Sequence, residues 1–107
     1  MFGIKEIDVG TLTGWQENGQ QFHLLDVRSV DEMSQGIIPG GQSMPLHLLP
    51  VNADELSKET DIVLYCRSGA RSAQAVAFLQ QRGFDRVFNL RGGIMDWVRQ
   101  GQSVATA

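Results

Sequence analysis

The chain has 107 residues, of which 42% are hydrophobic and 20% charged, a balance that fits one folded domain and excludes a disordered segment. One cysteine, Cys66, rules out an internal disulfide, and His23 and His47 stand apart from any acid or thiol cluster, so no metal site is expected. Net charge is −3, yet residues 1–61 carry −7 and residues 62–107 carry +4, every base in the second part being arginine; this argues against a nucleic-acid partner but for an anionic ligand.

Short apolar runs alternate with helical patterns, the signature of an α/β domain built on a mainly parallel sheet. A strand near Lys5 to Ile7 precedes a helix over Val9 to Glu17. Phe22 to Val27 forms the first clear strand, Asp31 to Gln35 a short helix, and Gly36-Ile37-Ile38-Pro39-Gly40-Gly41 a turn-rich connection. A short strand follows near Gln42 to Met44. Leu46 to Leu49 and Asn52 to Ser57 read as brief helical turns divided by Pro50, since proline disrupts a helix interior.

Asp61 to Tyr65 is almost wholly apolar, as expected of a central strand covered on both faces. Ala70 to Arg82 is a helix ended by Gly83, with Phe84 packing back on it. Arg86 to Leu90 is the last strand. Gly92 to Gln100 is the last helix, with Ile94, Trp97 and Val98 on one face, and from Gly101 the chain is expected to fray. Trp15 and Trp97 are read as packing residues. No basic segment followed by an apolar stretch opens the chain and no run of eighteen apolar residues occurs, so a cytoplasmic protein without a membrane partner is expected.

The chemistry concentrates at Cys66-Arg67-Ser68-Gly69-Ala70-Arg71-Ser72, which links the central strand to a helix. A thiol placed there meets the positive end of a helix, backbone N–H groups and two guanidinium charges, all of which favour thiolate. The bland alternative is an inert buried cysteine. Such a residue does not require a glycine, two arginines and two hydroxyls directly after it. In open α/β sheets ligands bind beyond the carboxyl ends of the strands, where Asp26-Val27-Arg28, the Cys66 loop and Arg91-Gly92-Gly93 all fall. Asp26 and Arg28, two apart on one face, read as a structural ion pair or loop anchor rather than a ligand contact.

Four stretches together resemble the rhodanese family: Leu24-Leu25-Asp26-Val27-Arg28 with Glu32, Gly36-Ile37-Ile38-Pro39-Gly40, Ile62 through Ser72, and Leu90-Arg91-Gly92-Gly93-Ile94-Met95-Asp96-Trp97. The resemblance covers nearly the whole chain. It implies one domain over residues 1–107 with an ordered core over 3–100, and a five-stranded, mainly parallel sheet flanked by helices on both faces. It also implies a sulfurtransferase that needs no cofactor. Cys66 would form a persulfide, residues Arg67, Ser68, Gly69, Ala70, Arg71 and Ser72 would bind the sulfur donor, and Asp26 and Arg28 would support the loop.

The implied donor is a small anion, thiosulfate; the Ser-Gly-Ala centre of the loop differs from that of relatives that use mercaptopyruvate. With no second thiol, the acceptor is external: cyanide, glutathione or a dithiol or sulfur-carrier protein. Two alternatives stand beside this reading. One is a persulfide relay module fed by a protein donor. The other is a cysteine-dependent phosphatase, whose relatives carry five residues between cysteine and arginine where Cys66 and Arg71 enclose four. The chain departs from the family pattern at Ile37, commonly histidine, and at Gly41, commonly alanine. Ile37 is therefore expected to pack on the sheet rather than join a polar network.

Overall fold

A computed structural model describes residues 3–107; Met1 and Phe2, included in the expected domain, lie outside them. The elements run β1 (Glu6–Ile7), α1 (Val9–Glu17), β2 (Phe22–Asp26), α2 (Val30–Met33) and β3 (Gln42–Ser43), then a helical turn (Leu46–Leu48), α3 (Leu49–Asn52) and a second turn (Ala53–Glu55). They finish with β4 (Asp61–Tyr65), α4 (Ala70–Gln81), β5 (Val87–Leu90) and α5 (Gly93–Arg99). Among the described residues all five strands are parallel, in the order β1-β5-β4-β2-β3. The apolar run of β4 thus takes the centre of the sheet.

Period-two alternation along β4 divides the core. Ile62, Leu64 and Cys66 face a cluster with Ala75, Val76 and Leu79 of α4 and with Leu49 and Ala53; Val63 and Tyr65 face Val9 and Leu12 of α1 and Ile94 and Trp97 of α5. Helices therefore cover both faces. Trp15 packs edge to face on Phe22 and Phe88, with ring centroids 5.6 and 5.5 Å away. Among the described residues no helix is long and apolar enough to cross a membrane.

Four local expectations give way. Pro50 does not divide two turns; it occupies the first turn of α3, where the missing N–H has no intrahelical partner to lose. Val98 does not share the buried face of Ile94 and Trp97 but is 54% exposed. The tail beyond Gly101 is not frayed: Ile37 and Ala105 exchange two backbone hydrogen bonds of 2.9 and 2.8 Å, and Trp97 Nε1 donates to the Ser103 carbonyl. Ile37 is half-buried through that bridge, whereas its neighbour Ile38 is the residue that enters the core. The Tyr65 hydroxyl accepts the Ile38 N–H at 3.0 Å and fills the space that a Cβ on residue 41 would need, which accounts for Gly41.

Candidate active site

Three strand ends build the site. At the end of β4, Cys66 leaves the sheet and is 1% exposed. Gly69, with φ of +109°, turns the chain into α4, a conformation open to glycine and resisted by side chains. Its N–H then lies 3.1 Å from Cys66 Sγ, and the Ser72 hydroxyl, in the first turn of α4, lies 3.4 Å from the same sulfur.

Burial pushes the Cys66 thiol up, but the Ser72 hydroxyl and the N–H groups of Ser72, Gly69 and Ser68 together outweigh it and leave the thiol below its ordinary value. A curled loop thus does what an isolated charge would do.

The loop is held from beneath by the end of β5. Gly93, with φ of +60°, lies so close to the Cys66 and Arg67 carbonyls that an added Cβ would overlap both. This approach lets Ile94 N donate to the Cys66 carbonyl and Met95 N to the Arg67 carbonyl, each at 3.0 Å. Two polar groups of the loop are thereby satisfied by the start of α5.

From the end of β2, Arg28 folds back on Asp26. The guanidinium donates to both Asp26 carboxylate oxygens at 2.7 to 3.1 Å, to the Gly36 carbonyl at 2.7 Å and to the Glu32 carbonyl at 3.3 Å. Both side chains are buried. The pair ties β2 to the segment that carries Ile38.

Arg71 is not a free charge. It grips Glu32 in a two-point pair of 2.6 and 2.8 Å, and this bond first of all holds the Glu32 carboxyl down at about 2. Glu32 also accepts the Ser29 N–H in a capping box that opens α2, so one carboxylate fastens α2 to α4 across the mouth of the loop. Arg67 is exposed and lines a cleft of about 600 Å³ with Arg28, Glu32, Gly36, Ile94 and Met95. Arg71 lines a second cleft, of about 400 Å³, with Ser29, Val30, Pro45, Leu46 and His47. Arg67 and Arg71 of the Cys66 loop thus line different clefts.

Ser68 and Ala70 are exposed on the loop's outer side. Arg91 turns away and pairs with Glu6 at 3.3 Å. One further polar residue enters the site unannounced. Asn89, buried in β5, accepts the Ser72 hydroxyl at 2.5 Å and donates to the Gly69 carbonyl at 3.2 Å and to Glu6 at 3.1 Å. Its signal was a lone amide inside the apolar run Val87-Phe88-Asn89-Leu90, on the same side of the strand as the core residue Val87.

A parallel α/β sheet with a depressed thiol in a backbone cradle at a strand's carboxyl end defines a class of nucleophilic cysteine domains. Within that class, the chain belongs to the rhodanese-like domain family, whose model matches residues 9–100. It is 46% identical over 98 residues to a sulfurtransferase of Allochromatium vinosum, covering 92% of each chain. To the putative sulfur carrier protein YrkF of Bacillus subtilis it is 32% identical over 94 residues, 88% of this chain and 51% of that one. The rhodanese-like domain protein of Staphylococcus aureus superposes with a TM-score of 0.86 at 27% identity, covering 96% of this chain and 98% of that one. These relatives support sulfur transfer in general.

Proposed function

We propose that the protein moves sulfane sulfur from thiosulfate to an external thiophilic acceptor through a persulfide on Cys66. The Cys66 thiolate attacks the outer sulfur of thiosulfate; the new S–S bond forms as the bond to the sulfonate sulfur breaks, and sulfite leaves with the electron pair. Cyanide, glutathione or a dithiol protein then takes the outer sulfur and returns the thiolate. Neither half-reaction calls for a metal or organic cofactor.

The observation that carries this reading is the cradle around Sγ, where the Gly69 N–H, the Ser72 hydroxyl and the neighbouring N–H groups converge on one atom. The same donors from Arg67 to Ser72 would receive the negative outer sulfur of the persulfide. Arg67, exposed on the rim of the larger cleft, would attract the dianionic donor, while Arg71 is committed to Glu32 and serves the loop's shape. Asp26 and Arg28 would serve in support, fastening the end of β2 to Glu32 and Gly36 at the wall of the same cleft.

Four residues between Cys66 and Arg71 favour a ring sized for sulfur over one sized for phosphate. The free thiol fits a reducing, cytoplasmic compartment. A second reading, a relay module loaded by a protein donor, is favoured by similarity to a putative sulfur carrier protein and by exposed Val30 and Val98 beside the two clefts. Steady-state release of sulfite from thiosulfate, with cyanide as acceptor, tests the primary reading. Activity that disappears in Cys66→Ser supports it; activity seen only with a persulfurated protein donor favours the relay, and Cys66-dependent hydrolysis of an aryl phosphate would overturn both.

A further inference from the structure

Beneath Cys66 the Ser72 hydroxyl leads on to Asn89, a buried amide to which sulfur transfer assigns no role. Asn89 is 2% exposed. Both hydrogens of its amide are spent, one on the Gly69 carbonyl and one on Glu6, so the amide cannot turn over and its oxygen stays aimed at Ser72. Ser72 Oγ lies 2.5 Å from that oxygen and 3.4 Å from Cys66 Sγ.

A hydroxyl has one hydrogen to give. While Cys66 is a thiol, every group is satisfied: S–H donates to Ser72 Oγ, and Ser72 donates to the Asn89 oxygen. Once the thiol loses its proton to solvent, the sulfur and the amide oxygen compete for the same hydroxyl hydrogen. If Ser72 turns to the thiolate, a buried carbonyl oxygen is left without a partner, which costs free energy.

We propose that Asn89 limits the ionisation of Cys66 by competing with its sulfur for the single hydroxyl hydrogen of Ser72. Asn89 is a positioning residue, acting through Ser72 and held in register by Glu6. Its chemical value lies in nucleophilicity, which declines as a thiol's pKa declines, so a thiolate stabilised without limit attacks poorly. When Cys66 becomes a persulfide, the negative charge moves to the outer sulfur and the Ser72 hydroxyl returns to Asn89. The other charged groups around the thiol are Arg67 and Arg71 of the loop and α4, Glu32 of α2 paired with Arg71, the Asp26–Arg28 pair after β2, and Glu6 of β1 with Arg91.

The proposal takes Cys66 to be the nucleophile of the reaction above. Its test reads thiol ionisation directly and needs no sulfur donor, so it stands or fails separately. The rate of Cys66 alkylation by iodoacetamide is followed against pH in the intact protein. Ser72→Ala raises the apparent pKa. Asn89→Leu lowers it by about half a unit or more, because the hydroxyl is freed for the sulfur. In the Ser72→Ala background the lowering by Asn89→Leu disappears.

A purely structural Asn89 predicts the opposite sign, since losing its bond to the Gly69 carbonyl relaxes the N–H donors around Sγ. A raised or unchanged pKa in Asn89→Leu overturns the proposal, as does a lowering that persists without Ser72. If circular dichroism shows Asn89→Leu unfolded, Glu6→Ala frees the amide from the exposed side. The part of its pKa lowering that depends on Ser72 supports the proposal, and the absence of any such part overturns it.

Discussion

Replacing Gly93 by alanine strikes the joint on which the loop rests. The added Cβ meets the Cys66 and Arg67 carbonyls, both backbone and neither able to swing aside. Residue 93 has φ of +60°, where an ordinary side chain costs about 1–2 kcal/mol. Relief of the overlap draws α5 away and strains the hydrogen bonds from Ile94 N to Cys66 O and from Met95 N to Arg67 O, each worth about 1 kcal/mol net. The sum, about 3–4 kcal/mol, corresponds to a fall in thermal midpoint of more than about 10 °C in a domain of this size.

Thermal unfolding by circular dichroism measures the fall, and iodoacetamide alkylation of the same samples reports whether Cys66 loses its depressed pKa. Gly14→Ala is the internal contrast. Gly14 lies inside α1 with nothing within 4 Å of an added Cβ, so the substitution is expected to stabilise by about 0.5–1 kcal/mol. A Gly93→Ala midpoint within about 2 °C of the parent would refute the claim that close approach of α5 supports the loop.

Removing Asp26 leaves the buried Arg28 guanidinium without its carboxylate, and Asp26→Ala is expected to cost about 3–5 kcal/mol in urea unfolding. Glu32 is held at about 2 by Arg71, below its unfolded value of 4.5, so its contribution to stability is complete above pH 4.5 and is lost as pH falls through about 2. Glu32→Gln should therefore be less stable than the parent at neutral pH, with the difference shrinking across that acid window in pH-dependent unfolding. Arg67→Ala should raise the KM for thiosulfate about two- to fivefold with little change in kcat, an effect that fades in high salt because the charge is exposed.

Much of the architecture was legible because β4 and α4 carry unmixed signals. Asp61 to Tyr65 is an apolar run suited to a central strand, and Ala70 to Gln81 is alanine-rich, with Val76 and Leu79 on its buried face and Gly83 just past its end. The thiol, its loop and its place beyond the strand ends were equally readable, since nucleophile, cradle and helix start are consecutive in the chain. What was hidden depends on residues far apart in sequence. Glu32 reaches Arg71 across 39 positions and Asn89 reaches Glu6 across 83, and no local pattern encodes either meeting. The tail misled for the same reason: Ala105 pairs with Ile37 from the far side of the chain. Val98 misled because a seven-residue helix buries a narrower stripe than its apolar content implies.

The central claim is that Cys66 carries sulfur. Intact mass spectrometry after incubation with thiosulfate reads this directly: one added sulfur atom that maps to Cys66, is removed by cyanide and is absent from Cys66→Ser is the expected result. An unmodified protein, or an adduct unaffected by loss of Cys66, would contradict it.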